Sequence, residues 1–285
     1  MLVADVGAQG LQRLKRLREG LRVFAALDEA GRISPEMMEG ACRSVSQFQR
    51  EAFVSGAERV HLFATSAVRD ATNGDRFAQA LNDATGLSLE IISGEREAYL
   101  SYVGAAEGGD AGMIDIGGGS TEVVMGAQGR VQRSASLQMG AVRLFRMHPI
   151  TGLEDALRVA GIAGDTIRNH PELLTATKPK RWVGVGGTFT TSAAVLQRIP
   201  WDRRERIHGY TLEKQALLQA IGGLAPMPLS ERMALPSMQP KRADIVVHGM
   251  AILLGCMEAL GIDRIAVSEC GNLEGYLKAA YGLVA

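Results

Sequence analysis

One stretch of the chain limits its fold more than any other. Met113–Ile116, apolar except at Asp115, has strand character, and it passes directly into Gly117-Gly118-Gly119-Ser120-Thr121-Glu122. A short apolar run closed by glycines reads as a buried strand. The glycines let the chain turn tightly and bring backbone N–H groups close to an anion, with no Cβ in the way. The design recurs further on, where strand-like Trp182–Val185 runs into Gly186-Gly187-Thr188. Each loop taken singly also reads as an ordinary tight turn, with Asp115 capping the first. As a pair they read as two walls of one phosphate or nucleotide cleft, Ser120 and Thr121 adding hydroxyls. Asp115, at a strand end, has the oxygen chemistry that suits Mg²⁺ or another hard cation.

The rest of the chain alternates strand and helix signals around these junctions. Met1–Val6 reads as a strand, Gly7–Gly10 as a turn, and Leu14–Ala25 as extended up to a turn at Asp28–Arg32. Ser34-Pro35-Glu36 is a helix start, with Ser as N-cap and Pro in the first helical position. Arg59–Thr65 and Leu87–Ile92 read as strands, Asp75–Thr85 as a helix, and Ser93-Gly94 as the cap of a helix near Glu95. Beyond Met125 the pattern predicts a polar turn, then helices over Asp155–Asn169, Thr211–Gly223 and Ala243–Leu260. A strand at Ile265–Ser268 and a short terminal helix close the chain. This alternation predicts an α/β layer architecture. At 285 residues the chain suits two domains. The glycine-rich break Gly104–Gly112 divides them as 1–110 and 111–285.

Composition excludes several classes. Lys+Arg and Asp+Glu both total 31, so no broad nucleic-acid surface is expected. Cys42, Cys256 and Cys270 form no CxxC pair, and no uncharged apolar run is long enough to span a bilayer. A cytoplasmic protein with reduced thiols is expected. No GxSxG elbow is present, and the five histidines show no close ligand spacing. Thr65-Ser66-Ala67-Val68-Arg69 and Ser93-Gly94-Glu95-Arg96-Glu97 read first as helix caps. Their functional reading makes Arg69 a fork for phosphate oxygens and a carboxylate of the second segment a general base.

Taken in order, ATSAVRD, SGEREA, IDIGGGSTE, VGGT, PKRADIVVHG and SECGNLEG resemble the exopolyphosphatase/guanosine pentaphosphate phosphohydrolase (Ppx/GppA) family over nearly the whole chain. The resemblance implies a duplicated actin-like, ribonuclease H-like fold with its active cleft between two domains. It also implies Mg²⁺-dependent hydrolysis of terminal phosphoanhydride bonds of polyphosphate or guanosine pentaphosphate. Position by position, Glu97 matches the glutamate that activates water and Arg69 the arginine that grips the reacting phosphate. Asp115 matches the metal-associated carboxylate, with Glu122 a further metal candidate. Gly117, Gly118, Gly119 and Ser120 match a phosphate loop. Thr65 and Ser66 accompany Arg69, and Gly186, Gly187 and Thr188 face the continuing phosphate chain or nucleotide. A homodimer is a further implication; membrane and nucleic-acid partners are not.

The chain departs from the family pattern at its beginning. The family's leading strand and DxGSNS-like loop have no counterpart, and Asp5-Val6-Gly7-Ala8-Gln9 imitates the loop without its Ser and Asn ligands. Either the true start lies upstream or the cleft is divergent. The expectation is a first domain short of one strand, a poorly soluble or oligomeric chain and weak activity, relieved by an upstream in-frame segment. Arg96 stands where the family often has Glu, Leu273 where Arg is common, and Asn272 replaces an apolar residue. The alternative functional reading is an impaired polyphosphate- or alarmone-binding regulator. An actin-like ATP-dependent kinase is a third, for which no acceptor pocket is specified.

Overall fold

The computed structural model describes residues 1–7, 9–106, 110–127 and 130–283. The chain divides into two compact bodies, Met1–Glu97 with Tyr276–Ala285, and Ala98–Gly275.

The first body opens with an antiparallel hairpin, β1 (Leu2–Gly7) and β2 (Gly10–Arg16). Ala8, in the expected turn, lies outside the described residues. The expected extended run ends at Arg16, and Val23–Ala26 forms a 3-10 turn instead. Ser34 caps α1 (Pro35–Val54) as predicted, its Oγ accepting from the Met37 N–H at 3.2 Å, with Pro35 in the first turn. There follow β3 (Leu62–Ala64), α2 (Ser66–Arg69), α3 (Gly74–Thr85) and β4 (Leu89–Ile91). Leu27, Ile33, Met38, Ala41, Val68, Phe77 and Leu81 form this body's core, as the apolar stripes of α1 and α3 require. β3 and β4 pair in parallel, separately from the hairpin.

Between Glu97 and Ala98 the division runs through α4 (Gly94–Ala105). The expected domain border at 110/111 lies beyond this helix, and residues 107–109 of the glycine-rich break are outside the described residues. Ala98, Tyr102 and Ala105, on one face of α4, pack with Met113, Val124, Val183 and Val185. That apolar face ties the helix from Ala98 onward to the second body.

The second body is built on six strands: β5 (Ala111–Ile116), β6 (Thr121–Ala127), β7 (Arg130–Leu137), β8 (Arg181–Val185), β9 (Thr211–Glu213) and β10 (Arg264–Ser268). Their order is β7-β6-β5-β8-β10-β9. β5 joins an antiparallel hairpin, β6–β7, to the parallel strands β8 and β10. The first body has a hairpin and a parallel pair, with no strand joining them among the described residues.

The helices of this body are α5 (Ala141–Met147), α6 (Leu153–Arg168), α7 (Pro171–Leu174), α8 (Gly187–Gln197), α9 (Arg204–Ile207), α10 (Lys214–Leu224), α11 (Leu229–Ala234), α12 (Val246–Leu260) and α13 (Asn272–Ala280). α12 is buried along its length except at Glu258 and Ala259. It packs with α6 and α8 against Ile114, Ile116, Val123 and Met125, the face of the sheet opposite α4. The end of α13 belongs to the first body, where Tyr276 stacks on Phe63 at 4.8 Å and donates to Glu90 at 2.8 Å.

Two sequence expectations need correction. The polar turn placed after Met125 is β7 and α5; Gln128 and Gly129, within that stretch, lie outside the described residues. The helix expected from Thr211 begins at Lys214, because Thr211–Glu213 pairs antiparallel with Arg264–Ala266 as β9. No helix among the described residues is long and apolar enough to cross a membrane.

Candidate active site

In the first body, α2 is a single turn ending at Arg69, with Thr65 at its N-cap and Ser66 buried. The Thr65 carbonyl accepts from the N–H groups of Val68 and Arg69, both at 3.1 Å, which fixes the direction in which Arg69 leaves the turn. Its Nη1 donates to the Ile92 carbonyl at 2.8 Å and to Glu97 Oε2 at 3.2 Å. Its Nη2 is buried and has no hydrogen-bond partner among the described residues. Glu97 lies in the first turn of α4, where Ser93 Oγ accepts from the Arg96 N–H at 3.1 Å, so Ser93 is the cap predicted. The Glu97 side chain is 9% exposed and that of Arg69 21%. The structure therefore brings Arg69 and Glu97 together. A buried guanidinium nitrogen without a partner is costly to leave so, and it is the group that a phosphate oxygen would satisfy.

In the second body the glycine loop joins β5 to β6 as a tight turn, closed by the Gly117 N–H donating to the Ser120 carbonyl at 3.0 Å. Its carbonyls are taken by the start of α5. The Ala141 N–H donates to Gly117 at 2.9 Å, and those of Val142 and Arg143 to Gly118 at 3.0 Å. Arg143 Nε donates to the Gly119 carbonyl at 2.7 Å. With the carbonyls committed and the Gly117 N–H spent on the turn, the N–H groups of Gly118, Gly119 and Ser120 are left to offer an anion. Gly140 is what allows this approach: a Cβ there would stand 2.4 Å from the Gly118 oxygen. Ser120 is buried at 1% exposure, and Thr121 Oγ1 donates to the Met139 carbonyl at 2.5 Å.

Asp115 and Glu122 are direct partners across the β5–β6 ladder, so their side chains leave the sheet on one face. Both are buried. Burial pushes the Asp115 carboxyl above the ordinary carboxylate range, opposed by a hydrogen bond from Ser101 Oγ to Oδ2 at 2.8 Å. Ser136 Oγ donates to Glu122 Oε1 at 2.8 Å. Next to them, Gly186 has φ +95°. A Cβ at Gly186 would also lie 2.9 Å from Asp115 Oδ1, so the position needs glycine twice over. Two buried carboxylates side by side fit a divalent cation by their chemistry. Among the described residues no third His, Cys, Asp or Glu completes a metal cluster. Such a pair matches the habit of Mg²⁺, which takes one or two carboxylates and fills its remaining positions from water and substrate phosphate.

Gly187 opens α8, an 11-residue helix whose N-terminus attracts anions. The Arg242 guanidinium rests directly on it, Cζ lying 1.9 Å from where a Gly187 Cβ would be. Thr188 turns inward instead, with Oγ1 packed against Gly249 of α12. Sequence reasoning did not assign Ser101, Ser136, Gly140, Arg143 or Arg242. The PKRAD run by itself specifies no role for Arg242, and the pattern predicts a turn where Gly140 and Arg143 stand.

An open, mixed sheet with helices on both faces, and glycine loops at the ends of two neighbouring parallel strands, defines a phosphate-handling α/β protein of the actin-like class. The comparisons narrow this. The family model described as the Ppx/GppA phosphatase family matches residues 2–281, and the chain belongs to that family. Exopolyphosphatase 2 of Mycobacterium tuberculosis is 34% identical over 298 residues, covering 96% of this chain and 92% of its own length. The guanosine-5'-triphosphate,3'-diphosphate pyrophosphatase of Aeromonas hydrophila is 29% identical, covering 100% of this chain and 57% of its own. The crystal structure of the Aquifex aeolicus member of the Ppx/GppA family superposes with a TM-score of 0.80 at 26% identity, covering 98% of this chain and 92% of that one.

Proposed function

We propose that this protein hydrolyses the terminal phosphoanhydride bond of inorganic polyphosphate or of guanosine pentaphosphate, in a Mg²⁺-dependent reaction. The observation that carries this reading is the buried Arg69–Glu97 pair, in which one guanidinium nitrogen has no partner of its own. Glu97 accepts the proton of the attacking water, and Arg69 Nη2 neutralises a nonbridging oxygen of the phosphate under attack. The N–H groups of Gly118, Gly119 and Ser120 cradle phosphate oxygens. Arg242, over the start of α8, offers its guanidinium to a further phosphate oxygen. Asp115 and Glu122 would hold Mg²⁺, which supplies charge neutralisation on phosphate oxygens. Phosphoryl transfer requires positioning and electrostatic stabilisation more than covalent chemistry from the protein, and this set provides both. The names of relatives from two substrate classes support the reaction type, while the choice of Mg²⁺ rests on the chemistry of the carboxylate pair.

The test is orthophosphate release from polyphosphates of defined length and from guanosine pentaphosphate. Release is expected with Mg²⁺, is lost in EDTA and returns when Mg²⁺ is restored. Calorimetric binding of both anions with no release under any of these conditions would replace hydrolysis by a binding role.

Arg242→Ala is expected to raise KM for polyphosphate by roughly tenfold or more, the worth of one charge-assisted hydrogen bond, with kcat changed much less. An unchanged KM would remove Arg242 from the substrate's path.

A further inference from the structure

We propose that Ser101 and Ser136 are positioning residues that aim the Asp115 and Glu122 carboxylates at a shared divalent cation. The inference rests on the reading of those carboxylates as the cation seat and extends it to side chains that touch neither substrate nor metal.

A buried serine in a helix ordinarily finds its partner inside that helix. Its hydroxyl turns back to the carbonyl four residues earlier, which satisfies it locally. This chain contains that arrangement: Ser192 Oγ donates to the Thr188 carbonyl at 2.7 Å in α8, and Thr166 Oγ1 to the Ile162 carbonyl at 2.8 Å in α6. Ser101, in α4 and at 0% exposure, donates out of its helix to Asp115 Oδ2 instead. The helix is held where this bond can form. Tyr102, the next residue, is 1% exposed, and its hydroxyl occupies the space a Cβ on Gly126 of β6 would fill. This close approach of Tyr102 to Gly126 seats α4 against the sheet at the spacing where Ser101 reaches Asp115.

The second carboxylate is treated alike from the opposite side. Ser136 is the direct cross-strand partner of Glu122 in β7, as Asp115 is in β5. Asp115, Glu122 and Ser136 therefore form one row across three strands, all on the α4 face. One oxygen of each carboxylate is engaged by a serine at 2.8 Å. Such an engagement sets the carboxyl plane, and with it the direction of the other oxygen. Outer partners of this kind fix ligand orientation at metal sites, and their loss lowers metal affinity about 10–100-fold.

The experiment is Mn²⁺ binding to the full chain, measured by calorimetry and by the electron paramagnetic resonance of free Mn²⁺, without substrate. Wild type, Asp115→Asn, Ser101→Ala, Ser136→Ala and Ser136→Thr are compared. The result expected is loss of the site in Asp115→Asn, about 10–100-fold weaker binding in each Ser→Ala variant, and recovery in Ser136→Thr, which restores a hydroxyl in a strand that accepts β-branched residues. Ser136 is half-buried in β7, so its variants read the effect if Ser101→Ala fails to fold. Wild-type affinity in the folded Ser→Ala variants, with the site lost in Asp115→Asn, overturns the positioning role alone. Equal binding by wild type and Asp115→Asn overturns the cation seat and the inference with it.

Discussion

Glu97→Gln is expected to lower phosphate release by about 10²–10⁴-fold, the usual contribution of a positioned general base, while the protein stays folded. Gln has the shape of Glu and keeps an oxygen that accepts from Arg69 Nη1, so the pair at the Ile92 carbonyl survives in outline. What is lost is the capacity to take a proton. Polyphosphate binding, followed by calorimetry, is expected to stay within a few-fold of wild type, because Arg69 Nη2 remains available and the neighbouring negative charge has gone. A kcat within threefold of wild type would exclude Glu97 as the base. A parallel collapse of binding and melting temperature would mean instead that the carboxylate chiefly maintains the local fold.

The second large effect is on stability. Gly275→Ala is expected to destabilise the second body by about 3 kcal/mol or more, the upper range for overpacking. A Cβ at Gly275 would stand 1.8 Å from the Leu100 carbonyl oxygen, and one at Gly104 1.9 Å from the Gly271 oxygen. These contacts are backbone against backbone, where α4 and the start of α13 cross, so no side chain can swing aside. At roughly 2–4 °C per kcal/mol for a body of this size, the melting temperature falls by about 6–12 °C. Gly161→Ala in α6 is the control. Nothing lies within 4 Å of its added Cβ, and replacing a helical glycine by alanine is expected to stabilise by about 0.5–1 kcal/mol. Thermal unfolding of both variants followed by circular dichroism checks the pair; equal melting temperatures would mean the crossing relaxes freely.

The strand-to-glycine junctions at β5 and β8 were legible because glycine runs after apolar stretches have few structural meanings. The start of α1 was legible because Ser34-Pro35 is a local signal whose chemistry acts within one turn. β7 was not, since Arg130–Leu137 lies at the edge of the sheet with much of its length exposed and so lacks a buried apolar pattern. β9 was read as the start of a helix because three residues carry too little pattern to outweigh the helix that follows. Only the distant partner Arg264–Ala266 makes them a strand. The same distinction applies to the site. Arg69, Glu97, Asp115 and the glycines stand in recognisable runs. Ser101 on Asp115, Ser136 on Glu122 and Arg242 on Gly187 exist only once folding joins distant segments, and no local pattern announces them.

The anchoring of the glycine loop by α5 has a further consequence. Glycine-rich turns are ordinarily the most mobile stretches of a chain, and ordering one around a ligand costs conformational entropy with each binding event. Here Gly117, Gly118 and Gly119 are already pinned through their oxygens, so that cost is met when the body folds. The anion seat should therefore persist in the resting protein and disappear on heating together with α5, in one cooperative step.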